Sequence, residues 1–241
     1  MTTTKKKGNH MNRNEVLSII DEARKTKKNP NLENADLQGI NLQGNILSGA
    51  NLRGANLRGS NLATVDLDFS DLTGADLSGA DLTHANLMDT SLWGANLSRA
   101  NLTEAQLEDA ILAEANMVGA TLREANLYGV NLQDTNLTNV CLEDANLSHT
   151  LWKGLRIDCL PSHQLTLIPT PHGWDLQVNL WRGTPDYLRE LMTQEEEWPE
   201  SVMGDSLDHC RPYLEAALAL CDVHMNDHAD YIYELKGKWN V

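Results

Sequence analysis

Thiols and imidazoles gather near the C-terminus of this 241-residue chain. His209 and Cys210 are followed by Cys221, His224 and His228. The last three stand at i, i+3 and i+7, one face of a helix. Thiolate with imidazole is the ligand chemistry of zinc, and Asp222, Asp227 and Asp230 are placed to orient the rings. Against a metal centre, the spacing matches no standard zinc finger. Cys210 and Cys221 also adjoin a Leu/Ala-rich stretch, where a free cysteine packs as a small hydrophobe. The expectation is therefore structural roles for all five residues, with no metal and no cofactor. Phosphate-binding glycine loops, H-E-x-x-H and G-x-S-x-G are all missing from the sequence, so no catalytic residue is assigned and the chain reads as non-enzymatic.

Carboxylates are the second chemistry. Asp+Glu total 34 against 19 Lys+Arg, a formal charge of −15. That argues against direct binding of nucleic acid, which needs a basic face. The balance is uneven: residues 1–30 carry 8 basic and 3 acidic residues, 31–150 carry 4 and 16, and 151–241 carry 7 and 15. No run of 18 apolar residues predicts a membrane span, and Lys5-Lys6-Lys7 lacks the apolar stretch of a secretory signal. Four scattered cysteines (Cys141, Cys159, Cys210 and Cys221) suit a reducing cytoplasm rather than a disulfide scaffold.

What must position these groups is a repeat. From Leu32 to Leu147, stepping by five, 24 consecutive positions are Leu except for Met117. Ala stands two residues before in 14 of the 24, and Asn or Asp one before in 18, so the unit reads Ala-(Asn/Asp)-Leu-x-x. Five residues advance about 500° on an α-helix, which smears the leucines around the circumference. On a flat strand an odd period sends them to alternate faces. They share one interior only if the chain turns once per repeat, with Gly two after Leu at the corner. Ile46, Ser91, Gln106, Ile111, Thr121 and Cys141 depart from Asn/Asp before Leu.

Residues 31–150 closely resemble the pentapeptide-repeat family. The resemblance implies a mainly β fold: a right-handed quadrilateral β-helix with four repeats per turn and about six coils. At about 4.8 Å per stacked strand the rod would be roughly 29 Å long. Positions 20 apart become vertical neighbours. Asp66, Asp71, Asp76 and Asp81 then form a belt, one per side, and Glu104, Glu124 and Asp144 stack on one edge. These are the candidate interaction residues. Some relatives, of the quinolone-resistance type, mimic duplex DNA and inhibit DNA gyrase, but the repeat charge here is expected to spread over four sides.

The ends read as covers. Residues 1–11 are a basic leader expected to be flexible. Residues 12–30 are a capping helix, opened by Asn12 and Glu15, with Val16, Ile19, Ile20 and Ala23 as its apolar stripe. Its basic run Arg24 to Lys28 complements the helix dipole, and Pro30 closes it. After Leu147 the repeat fails, and Trp152 takes the next Leu position. Residues 151–241 read as a small α+β or helical cap domain. A hairpin pairs 164–168 with 174–180, a helix starts at Thr184-Pro185, and two more follow, from Pro212 and around Tyr231. Glu195-Glu196-Glu197 is a solvated run. The functional expectation is a cytoplasmic scaffold that binds an unidentified protein through a rod face or the C-terminal domain, with no membrane and a possible homodimer through an end cap. The alternatives are the gyrase-inhibiting DNA mimic and a metal-binding or enzymatic C-terminal domain.

Overall fold

A computed structural model describes residues 10–160, 163–178, 181–193 and 207–240, with backbone only at 155–160, 163–164, 207–210 and 212–213. The leader residues 1–9 and Glu195–Glu197 lie outside the described residues, as do the side chains of Cys159, His209 and Cys210.

The five-residue period turns the chain as its arithmetic requires. Parallel bridges join each residue before Leu to the one 20 further on, from Asn31–Asn51 to Asn131–Leu151. Four such columns make a four-sided solenoid. We number the sides by their first bridged residues: Asn31, Asp36, Asn41 and Ile46. At each corner the N–H three residues after Leu returns to the Leu carbonyl, as in Ala35 to Leu32 at 3.1 Å. Every corner residue from Asn34 to His149 has φ between +51° and +69°, and ten of these 24 are glycine. The remaining corners hold L-residues in the left-handed region, including β-branched Thr64 and bulky Phe69.

The Asn/Asp preference has a local cause. All 18 of these side chains accept at Oδ1 from the backbone N–H two residues on, at 3.0–3.4 Å. This is the Asx turn, for which a short side-chain carbonyl is the right length. Several also bond along the column, as Asn96 Nδ2 does to Asp76 Oδ1 at 3.0 Å. Inside, the leucines and the small residues form one dry core. Where a hydroxyl replaces Ala it is satisfied by a backbone carbonyl, as Thr90 Oγ1 is by Leu67 at 2.9 Å.

Each repeat sends two N–H groups and one carbonyl toward the next coil, so the first coil is left with chiefly carbonyls to satisfy and the last with chiefly N–H groups. Helix α1 (Arg13–Thr26) covers the first, with the Asn12/Glu15 capping box formed and Val16, Ile20 and Ala23 buried. Met11 N–H donates to Asp36, Arg13 Nε to Asn41 and Arg24 to Ile46, each at a backbone carbonyl. Three corrections follow. His10 and Met11 belong to the folded rod, through the bridge to Asp36, rather than to a leader. Arg24 supplies a carbonyl cap, which its place near the helix dipole did not reveal. The helix ends at Lys27 in the left-handed conformation, while buried Pro30 is already an inward repeat position.

The C-terminal region is a four-stranded antiparallel meander of β1 (Leu155–Leu160), β2 (His163–Thr170), β3 (Gly173–Val178) and β4 (Trp181–Gly183). Helices α2 (Pro185–Thr193), α3 (Leu207–Asp227) and α4 (Ala229–Trp239) follow. The hairpin expected from sequence is its middle pair, closed by Thr170 opposite Gly173. The short β4 and the mixed-polarity β1 carried no alternation to announce them. Helix α3 begins at Leu207, five residues before Pro212. Leu165, Leu167, Leu176 and Val178 pack with α2 and α3 in a second core, whereas Ile168 joins the solenoid core. No helix among the described residues is long and apolar enough to cross a membrane.

Candidate interaction face

The sheet's other face explains why polar residues stand on a buried strand. Gln177 Oε1 accepts the buried Leu142 N–H at 3.1 Å, and the Asp175 carboxylate accepts from the Asn139 N–H. Tyr231 Oη accepts the Asp134 N–H at 2.9 Å. Side chains thus replace the coil that would have come next. Burial raises the Asp175 carboxyl above its ordinary range, although the Asn139 bond and the charges of Arg182 and His172 oppose the shift. Burial likewise raises the Tyr231 hydroxyl. Helix α4 is strapped to the first side: Lys238 Nζ reaches Glu114 and Asp134, each at 2.9 Å, and Trp239 Nε1 donates to the Asp134 carbonyl at 3.2 Å. Burial works against the charge on Lys238, yet its two carboxylate partners hold its pKa above the ordinary value.

The cysteine and histidine residues are divided by this arrangement. Cys221 is buried in the second core, and burial, reinforced by Asp222, pushes its thiol up to about 11. A thiol so held is neither a nucleophile nor a ready ligand. His224 and His228 stack with centroids 4.3 Å apart. His224 Nε2 meets the Lys153 carbonyl at 3.0 Å and His228 Nδ1 meets the His224 carbonyl at 2.9 Å. Cys210 lies eleven residues before Cys221 on the same helix, about 16 Å along its axis. His209 and Cys210 therefore cannot share one ion with the other three. Asp222 pairs with Arg189 instead of a histidine. Among the described residues no group of three or more His, Cys, Asp or Glu is placed to hold a metal.

The acidic belt falls one per side, but its carboxylates are engaged locally. Asp66 takes Ser48 and Asn86, Asp71 takes Arg53, Asp76 takes Asn96, and Asp81 takes the Thr83 hydroxyl. Partial burial works to raise the Asp71 carboxyl, yet the Thr73 hydrogen bonds and Arg53 bring it below its ordinary value. The edge is different: Glu104, Glu124 and Asp144 are exposed in one column, with His84 Nδ1 3.4 Å from Glu104.

That edge borders a charged face. The fourth side, with the corners flanking it, spans 44–49 and the five segments 20 residues apart above it, to 144–149. It holds eight of the sixteen repeat-region carboxylates and no Lys or Arg. Asp66 and Glu108 stand in its middle, Asp89 and Asp109 on one border, and the Glu104 column on the other. Asp68 Oδ1, on this side, is sealed from solvent without a hydrogen-bond partner. Exposed Ile46, Phe69 and Tyr128 lie among the acids, with Met88 half-buried. The opposite second side with its corners carries four carboxylates, answered by Arg58, Arg99 and the strapped Lys238. Charge is therefore gathered on one face, contrary to the expected even spread. Summing along the chain coil by coil conceals this; summing by position within the 20-residue turn would have found it. Gln177, Asp175, Tyr231 and Lys238 left no such signal, because their partners are 35 to 124 residues distant.

A capped, four-sided β-solenoid with flat sides and one acidic face defines a class of solenoid repeat protein. The family model for pentapeptide repeats matches residues 31–62, 66–103 and 100–139, in eight copies. The chain belongs to the pentapeptide-repeat family, whose fold is a right-handed β-helix. No curated protein matches the chain. Among solved structures it is similar to the pentapeptide repeat protein Rfr23 of the cyanobacterium Cyanothece 51142. The two are 29% identical over 56% of this chain and 98% of that one, with a TM-score of 0.39. A pentapeptide repeat protein from the Arabidopsis thaliana thylakoid lumen is 33% identical over 44% and 71%, with a TM-score of 0.36. One from Nostoc PCC 7120 is 40% identical over 42% and 79%, with a TM-score of 0.27.

Proposed function

We propose that this chain is a non-enzymatic, cytoplasmic scaffold: a rigid rod of six coils, closed at both ends, that holds a protein partner against one of its sides. The observation that carries this reading is the fourth side. Both ends of the rod are sealed by its own chain, whereas this side presents unneutralised carboxylates and exposed apolar residues on a surface stiffened by continuous hydrogen-bonded columns. Rigid, preformed surfaces lose little freedom on binding. Affinity capture from the native host tests it, using the full-length protein beside a variant carrying Glu104→Lys, Glu124→Lys and Asp109→Lys. A partner retained by the first and released by the second is the expected outcome. Identical recovery with both would remove the rod face from the function.

The same acidity favours, more weakly, mimicry of duplex DNA toward gyrase. A duplex of the rod's length carries about 17 charges, where this face offers eight carboxylates interrupted by Phe69 and Tyr128. A supercoiling assay left unchanged by micromolar protein would eliminate that reading.

A further inference from the structure

We propose that the fourth side docks a basic amphipathic α-helix of the partner, laid along the rod axis. This rests on the scaffold reading and deepens it. Successive coils repeat about every 4.8 Å. Along a helix, residues three and four apart rise about 4.5 and 6.0 Å, so one cation can meet one coil. Same-face residues of an extended strand recur about every 6.8 Å and lose register within two coils. The face supplies both halves of an amphipathic match. Asp89 and Asp109 form an acidic column running up from Phe69, which is 68% exposed, while Tyr128 is 42% exposed two coils above the Asp89 level. From Phe69 to Tyr128 is three coils, about 14 Å, or about ten helical residues. No cation of this chain occupies Asp89, Asp109 or Glu124 among the described residues, so the charge is available to a partner. The opposite side, whose four carboxylates are answered by Arg58, Arg99 and Lys238, offers the same helix almost no net charge.

The test uses full-length protein and a labelled Lys/Leu peptide of about 18 residues with lysines recurring every three or four positions, against a scrambled peptide of equal composition. Fluorescence anisotropy should give binding at least about tenfold tighter for the patterned peptide. Phe69→Ser with Tyr128→Ser, and separately Asp89→Asn with Asp109→Asn, should each weaken it by about tenfold. Arg58→Ser with Arg99→Ser should not. The asparagine pair suits left-handed corners and keeps the test open should the serine pair misfold. Equal affinity for the two peptides, or indifference to both face variants, overturns the helix-docking inference. If partner capture from the host still responds to the lysine variant in that case, the scaffold survives and only the occupant is wrong.

Discussion

At the corners, each repeat requires one residue with positive φ, and the chain meets that requirement unevenly. Gly129 is needed twice over: its φ is +69°, and the Asp109 carboxylate occupies the space a Cβ would fill. Gly129→Ala should cost about 1–2 kcal/mol from the backbone alone, read as a lowered Tm. Thr64 is the reverse case, a β-branched residue at φ +55°. Thr64→Gly should raise stability by up to about 1 kcal/mol, relief of strain exceeding the added freedom of the unfolded chain. A lower Tm for Thr64→Gly would show that its side chain contributes more than its backbone loses. Leu, Ala and Asn/Asp at their fixed offsets were all legible in sequence. What the Asn/Asp carbonyl bonds to was not, because composition records preference without geometry.

Between elements, the two caps work by opposite chemistry, donors at the carbonyl end and acceptors at the N–H end. Gln177→Leu would leave the buried Leu142 N–H without an acceptor and should cost about 1–3 kcal/mol, seen as a lower urea midpoint; an unchanged midpoint would mean another group takes the bond. Asp175 makes a pH prediction. Its raised pKa means that the native state holds the proton more tightly than the unfolded chain, whose ordinary value is 3.8. The contribution is favourable below that value and is lost as pH rises through the folded value. At neutral pH the buried charge is then a cost, and Asp175→Asn keeps the acceptor without it. The variant should melt higher than the parent at pH 7, with the difference closing as pH falls toward 4. A variant that melts lower at pH 7 would assign the carboxylate a net favourable partner. The capping helix and the middle hairpin followed from local pattern. Arg24, Gln177 and Tyr231 did not, since they act on residues far away in the chain.

For the whole molecule, the caps decide that the rod is finite. A fragment of residues 30–151, without α1 and the C-terminal domain, would present an open β edge at each end, richer in carbonyls at the first coil and in N–H groups at the last. Those ends complement each other in register, so sedimentation should reveal head-to-tail multimers that the full chain does not form. A monodisperse fragment would mean that charge repulsion outweighs the exposed edges. The sequence by itself determined the period, the shared apolar interior, the capping box and the acidic excess, because each is a relation among residues a few positions apart. The tertiary structure alone decided which carboxylates are spent on neighbours and which stand free, where Cys221 and the histidines face, and how the last coil is closed. Those outcomes depend on groups from distant segments meeting in space, and a linear pattern does not encode such distances.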